Sequence, residues 1–528
     1  MGLRPADAVA ALQRALKEAS RQGDPSIRAR LIRKCALMKT LMGRHDEARR
    51  MAARASALYR QTRDLAGEAD CENIMGISFA RVADHVQAQV HYRQALDLRR
   101  QGGDSHHLWP GLQNLGMVLF FMGRWKEGRD LLQEALQIAQ TENDPGAVSL
   151  IINNLGLLAR EEGRLEEAER LLKEAEKTHR EHGSLPRRGE SLLILAEVNL
   201  RRGSFDEAVK LAEEAAELYS RLGMHSKMAH SQEILGAAFR ESGQIEPALE
   251  NHERGLSLAR RDHDMVQQGF ALCSLALDHL AAGDEPAARA RLAPCPALAE
   301  APDGSRLNRR IGQARALSAL VIGRPDQTLE EIGKLSASGK EGWSFHEDLE
   351  IQILEARALL TRGDIPAALS RLEKLLARER LASSLPRHWE VLRLLAQCHA
   401  GLGKAQGAAT FRRQAIQVFN RNLSLLSPSF RQALERLPAA VRLRIDSGGS
   451  ATARISPVRF LDTMYSVLEV LTAASQTDRM LEEVTDLAID LLGAERGMVL
   501  LFPEDGSPPQ VKVSRGLEDQ TIADAISY

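Results

Sequence analysis

Apolar residues over the first 420 or so positions recur at the three- and four-residue spacing of amphipathic helices, and the stripes come in pairs. Between Ser149 and Glu181, Leu150, Ile151, Leu155 and Leu158 form one stripe, and Leu165, Ala168, Leu171, Leu172 and Ala175 a second. Gly163 stands between them, where a residue without Cβ ends a helix at least cost, and Glu166 and Glu167 follow at the expected start of the next helix. Each pair of stripes therefore predicts a helical hairpin.

The hairpin repeats every 40 residues. Glycine stands at Gly43, Gly123, Gly163, Gly203, Gly243, Gly283, Gly323, Gly363 and Gly403, with Ala83 alone breaking the series. Five residues further on, small residues hold Ala48, Ala88, Gly128, Ala168, Ala208, Ala248, Ala288, Ala368 and Ala408, with Thr328 the largest. Seven residues before the glycines, nothing exceeds alanine: Ala36, Gly76, Gly116, Gly156, Ala196, Gly236, Ala276, Ala316, Ala356 and Ala396. Such residues suit the crossing of two closely packed helices, where a large side chain would overpack. One hairpin cannot bury its own apolar face, so neighbours must stack. The fold class is mainly α, an α-solenoid of ten hairpins. Ala8 and Ala15 share the register of Ala48 and Ala55, which makes Asp7 to Arg21 a lone leading helix. Pro294, Pro296, Pro302 and Gly304 cut short the helix that starts near Glu285, giving either a joint between two sub-arrays near 294–305 or a loose connecting loop.

The segments Asn114-Leu115-Gly116-Met117-Val118-Leu119, Asn154-Leu155-Gly156-Leu157-Leu158, Phe205-Asp206-Glu207-Ala208 and Leu165-Glu166-Glu167-Ala168 resemble tetratricopeptide repeats. The period exceeds the usual ~34 and approaches that of HEAT repeats, but the Leu-Gly and Glu-Ala pairs favour the tetratricopeptide reading. The longer variant is similar to the arrays of kinesin light chains and of bacterial regulators. The resemblance covers about 1–420 and implies a right-handed superhelix whose first helices line a concave face that binds a protein or peptide. On that face the expected contacts are Asn73, Gln113, Asn114, Asn153, Asn154, Arg160, Glu233 and Arg240. An asparagine can bond both the carbonyl and the amide of an extended peptide, so Asn114 and Asn154, one repeat apart, could track a backbone. The competing arrangement is bonding within the repeats themselves. The lysines with which some tetratricopeptide domains hold a chaperone's terminal carboxylate are missing from the matching places, which carry Asp70, Pro110, Leu150, Glu190 and His230.

Beyond the array (1–425), a segment 426–456 holds one more expected helix, Ser429 to Arg444, and a flexible linker, Ser447 to Ala453. From Pro457 two helices precede the strands Gly497 to Phe502 and Gln510 to Ser514. Leu492 to Leu501 looks like the opening of a GAF domain, a small-molecule sensor module, and Val511 to Leu517 is similar to its second strand. Residues 457–528 are too few for such a domain, so the expectation is an incomplete α/β segment, with the chain truncated inside an apparent helix, Thr521 to Tyr528. A small-molecule ligand is expected only for an intact GAF domain.

This order of modules resembles the N-terminal half of bacterial signalling regulators, among them activators of the sigma-fifty-four form of RNA polymerase. The resemblance implies a sensory or docking arm. A free-standing adaptor and the non-catalytic part of a histidine kinase are the alternatives.

Charge adds an exclusion. In 528 residues, 70 basic and 71 acidic side chains balance, which gives no electrostatic case for nucleic acid or a membrane surface. No apolar run is long enough to span a bilayer and the N-terminus lacks the features of a signal peptide, so the cytosol is expected. Cys35, Cys71, Cys273, Cys295 and Cys398 are scattered and indicate neither a disulfide framework nor a zinc site, only buried thiols. Phosphate-loop, dinucleotide, zinc-protease and nucleophile-elbow motifs are all missing, so no enzymatic activity and no cofactor are expected. His179 and His182 are expected to be solvated at a helix end, and Asp262-His263-Asp264 to cap the following helix.

Overall fold

The computed structural model describes residues 11–12, 14–19, 24–103, 108–298, 305–337, 343–378, 381, 383–445, 497–501 and 510–515. They fall into two compact units, Met1–Leu437 and Pro438–Tyr528. In the first, residues 14–19 are helical, and ten hairpins follow. The first five pair α1 (Pro25–Leu41) with α2 (His45–Gln61), α3 (Leu65–Arg81) with α4 (His85–Gln101), α5 (Trp109–Phe121) with α6 (Trp125–Thr141), α7 (Pro145–Glu161) with α8 (Leu165–Glu181), and α9 (Leu185–Arg202) with α10 (Phe205–Leu222). The sixth pairs α11 (His225–Glu241) with α12 (Ile245–Arg261). In the seventh, α13 (Met265–Ala281) faces a second helix broken at Pro294 into α14 (Glu285–Leu292) and α15 (Cys295–Leu298). The last three pair α16 (Ser305–Val321) with α17 (Pro325–Ala337), α18 (Phe345–Arg362) with α19 (Ile365–Leu376), and α20 (Leu385–Gly401) with α21 (Ala405–Leu423). A short α22 (Pro428–Glu435) ends this unit.

From 43 to 283 the backbone repeats every 20 residues, twice as often as the glycines. Positive φ occurs at Gly43, Arg63, Ala83, Gly103, Gly123, Asn143, Gly163, Gly183, Gly203, Gly223, Gly243, His263 and Gly283, so turns within and between hairpins share one geometry. The amide after such a left-handed residue donates back across the helix end, as from Arg44 to the Lys39 carbonyl (2.9 Å) and from Arg164 to that of Ala159 (2.8 Å). Aspartate then starts many of the following helices. Asp64, Asp84, Asp144, Asp264, Asp284 and Asp364 each accept a bond from the amide three residues on.

The small residues lie where the helices of a hairpin cross. Ala48, Ala88, Ala168, Ala208, Ala248, Ala288, Thr328 and Ala368 are fully buried. In the third hairpin a Cβ on Gly116 would meet the Gly128 carbonyl at 3.0 Å, and one on Gly128 the Gly116 carbonyl at 2.8 Å. The second-helix stripe extends one turn further than its apolar residues suggest. In α8 it runs Leu165, Ala168, Leu171, Leu172, Ala175 and His179. The expectation of a solvated His179 is therefore corrected: it is buried at the core position that Tyr59, Ala139, Tyr219 and Ala259 hold elsewhere, whereas His182 is exposed.

The expected single helix Ser429 to Arg444 is two, because Pro438 cannot continue the hydrogen-bonding of α22 and starts α23 (Pro438–Ile445) instead. In the second unit, strands β1 (Gly497–Leu501) and β2 (Gln510–Arg515) pair antiparallel, with Gly497 opposite Arg515 and a bulge between Val499 and Leu500. The ends of the leading helix, Pro302 and Gly304, the linker Ser447 to Ala453, the two expected helices after Pro457 and the segment Thr521 to Tyr528 lie outside the described residues.

The first unit winds back on itself after five hairpins. Hairpin turns of repeats four to six abut the starts of first helices in repeats nine and ten and the end of the unit. Gly163 packs against Phe345, Gly203 against Pro386 and Asn422, and Gly243 against Leu437. Ser384 Oγ donates to the Arg201 carbonyl (2.8 Å), Asn422 Nδ2 to that of Gly203 (2.9 Å), and the Ser427 amide to Asp206 Oδ2 (2.8 Å). Phe430 on α22 stacks on Phe239 with ring centres 5.6 Å apart and tilts against Phe205 at 6.1 Å. A solenoid held only by nearest neighbours would lack all of these contacts.

Candidate functional site

Closure of the superhelix brings six first helices, α9, α11, α13, α16, α18 and α20, around one cavity. Its wall is charged at the centre, with Glu197, Glu233, Glu241, Glu347 and Glu350 facing Arg201, Arg240, Arg306, Arg309, Arg310 and Arg387. A neighbouring pocket shares Arg240, Glu241, Arg310, Gln313, Glu350 and Arg387 with it and is otherwise lined by Leu277, Leu280, Leu317, Val321, Ile353, Leu354 and other residues. A polar girdle thus leads into an apolar recess.

Arg387 is the hub of the girdle. Its Nη2 reaches Glu350 at 2.8 Å and Glu241 at 3.0 Å, and its Nη1 reaches Glu390 at 3.3 Å. Glu350 also accepts from Gln313 Nε2 (2.7 Å) and lies 3.2 Å from His346 Nε2. Burial by itself would raise the Glu350 carboxyl, but His346, Arg387 and Arg310 outweigh it and hold the group well below the usual range. Burial likewise acts to lower Arg387, and Glu241, Glu350 and Glu390 more than offset it. At the other end of the girdle, Arg160 is sandwiched between Glu161 and Glu197. Burial brings Arg160 down to about 10, still charged at neutral pH. His230 is lowered to about 4, chiefly by the surrounding protein, so its imidazole is neutral. A neutral ring can meet a carboxylate oxygen only as a donor, which places the proton on Nε2, 2.7 Å from Glu197.

Of the residues singled out in the sequence, Glu233 and Arg240 line this cavity. Arg240 Nη1 is held by the fully buried Asp278 (3.0 Å), itself bonded to the buried His252, and Glu233 accepts from Gln267 Nε2 (3.0 Å). Arg160 is buried and reaches the wall through Glu197. The asparagines are engaged from repeat to repeat: Asn114 Nδ2 donates to Asn73 Oδ1 (3.2 Å), and the buried Asn153 accepts from Ser191 Oγ (2.7 Å). Asn154 is buried, and Gln113 is half-buried on α5. The sequence reading missed Arg306, Arg309, Arg310, Glu350 and Arg387. A signal existed, because the series Asp70 to His230 continues at the same spacing to Phe270, Arg310, Glu350 and Glu390, three of which line the charged cavity.

Among the described residues no group of three or more His, Cys, Asp or Glu side chains could hold a metal ion, and no helix is long and apolar enough to cross a membrane. The wall thus presents ion pairs and hydrogen-bond donors over an apolar recess.

Two tetratricopeptide family profiles match the chain, one over 111–181 and 188–261 and the other over 153–221 and 353–418. The chain therefore carries tetratricopeptide repeats, stacked as an α-solenoid. No curated protein matches its sequence. Among solved structures it is similar to a Rap protein complexed with competence and sporulation factor, at 15% identity and a TM-score of 0.49, covering 68% of this chain and 100% of that one. It is similar also to the Rap conjugation gene regulator of plasmid pLS20 in complex with the Phr* peptide (16% identity, TM-score 0.43, 64% and 98% covered). A third is BtubC from P. vanneervenii, at 22% identity and a TM-score of 0.34, with 42% and 91% covered.

Proposed function

We propose that this chain is a non-catalytic binding scaffold that takes an extended segment of a protein or peptide into the cavity enclosed by repeats five to ten. The observation that carries the reading is the girdle itself. Charged groups that five first helices bring together, most of them held in ion pairs that a ligand's own charges could replace, lie beside an apolar recess for its side chains. Concave binding is also what tetratricopeptide arrays offer physically, since each repeat adds one first helix to a continuous inner surface. On this reading Glu233 and Arg240 contact the ligand, and Asn73, Gln113, Asn114, Asn153 and Asn154 shape the groove that leads to it. The array acts as the cytoplasmic sensory or docking arm of a bacterial signalling regulator, of the sigma-fifty-four activator type, with the GAF-like segment from 457 as its next module.

The test is selection of displayed peptides on the full chain, followed by photo-cross-linking from a benzophenone side chain introduced in place of Phe270. Cross-links from Phe270, and loss of binding in Arg240→Ala, are expected. Selected peptides that bind equally well to Arg240→Ala and never cross-link at Phe270 would refute cavity binding.

A further inference from the structure

Hairpin seven brings two thiols together. Cys273 lies on α13 and Cys295 opens α15, both fully buried, with their sulfur atoms 3.9 Å apart. The approach follows from the hairpin geometry: Cys295 occupies the second-helix position that Ala55, Ala95, Ala135, Ala175, Ala215 and Ala415 hold in six other repeats, all buried where the helices cross. Replacing one alanine hydrogen by sulfur at that place directs it into the first helix, and in this repeat alone the first helix answers with a cysteine.

We propose that Cys273 and Cys295 form an oxidation site, at which a hydroperoxide joins them in a disulfide that ties α15 to α13. Cys295 is the attacking sulfur. The Cys273 thiol donates to it and Arg315 lies nearby, which hold it below the ordinary cysteine range against the effect of burial, whereas Cys273 is pushed up by the same contact and by burial. The Cys295 thiolate displaces hydroxide from hydrogen peroxide to give a sulfenic acid. The Cys273 thiol then attacks that sulfur and water leaves, so two thiols and one peroxide become one disulfide and two waters. Closing from 3.9 Å to a bonded pair asks each sulfur to move by roughly 1 Å. Access comes from local opening, since α15 is a single turn isolated by Pro294 and unfolds more cheaply than the unbroken helices. The bond matters to the cavity because α13 also supplies Phe270, Leu277 and Leu280 to its walls.

The experiment treats the reduced full chain with hydrogen peroxide and counts thiols after denaturation, with mapping of any cross-linked peptide by mass spectrometry. Five thiols should fall to three, and the pair should disappear about tenfold faster than Cys35, Cys71 and Cys398, each of which burial raises. Cys295→Ala, which installs the residue of six other repeats, should form no cross-link and keep its four thiols. In Cys273→Ser, dimedone should trap Cys295 as the sulfenic acid. Five thiols surviving, uniform oxidation of all five, or a cross-link in Cys295→Ala would each overturn the proposal. These readouts do not depend on any cavity ligand, so they stand or fall apart from the proposed binding role.

Discussion

Three left-handed turn residues allow the superhelical closure to be tested separately from the turns themselves. Gly203 and Gly283 have nearly the same conformation, φ 86° and φ 82°, but a Cβ on Gly283 would meet nothing within 4 Å. One on Gly203 would lie 2.6 Å from Asn422 Nδ2 and 2.9 Å from Pro386 Cδ. Gly283→Ala should therefore cost only the strain of a left-handed alanine, about 1–2 kcal/mol. Gly203→Ala adds overpacking against the next turn of the superhelix, a further ~1–3 kcal/mol. Ala83 is the converse control, an alanine already held at φ 59°. Ala83→Gly relieves that strain but restores freedom to the unfolded chain, for a net gain of about 0.5–1 kcal/mol. The local readout is amide hydrogen exchange at Ser427, whose N–H is bonded to Asp206 across the closure at 2.8 Å. Gly203→Ala should speed that exchange by about 5- to 150-fold, the equivalent of the added ~1–3 kcal/mol, while Gly283→Ala leaves it unchanged. Equal exchange at Ser427 in the two variants would refute the closure.

Arg387→Gln removes the charge that Glu241, Glu350 and Glu390 share and should cost about 2–3 kcal/mol at neutral pH, near the lower bound for a buried pair because these groups keep some exposure. The sign with pH follows from Glu350. Its carboxyl is depressed in the folded chain, so the pairing stabilises above the ordinary carboxyl range and fades as pH falls through the folded value. The deficit of the variant in urea titrations should therefore shrink below about pH 4, and a deficit constant with pH would count against the girdle. Ala208→Leu, at a fully buried helix crossing, should lower stability by ~1–3 kcal/mol, and a melting curve unchanged from the parent would contradict the close packing inferred there.

Local rules made the hairpins legible. Gly163 and its counterparts, the small residues around Ala208 and the stripes at helical spacing all act within one repeat, where sequence neighbours are also neighbours in space. The 20-residue turn series was hidden because Arg63, Asn143 and His263 take the same left-handed conformation as the glycines. Nothing in the type of those residues marks a repeat. The cavity was hidden for a different reason: Arg387 meets Glu241 across 146 positions and Asn422 meets Gly203 across 219, and no periodicity within a repeat encodes how far the superhelix turns per step. Residue type alone also could not show that Asn114 bonds one repeat back, to Asn73. Cys273 and Cys295 are 22 positions apart and read as isolated thiols until the hairpin folds them together.

The return of the chain onto itself after five hairpins has a consequence for how this protein can change in evolution. Open repeat arrays lengthen and shorten readily by duplication or loss of a unit, since each copy interacts only with those beside it. Here the fourth, fifth and sixth units must find the ninth, the tenth and the end of the unit at fixed distances along the gene. Gain or loss of a single copy between them would bring Gly203 opposite a segment without Pro386 and Asn422, and Glu241 opposite one without Arg387. The closure thus ties the number of copies to their sequences.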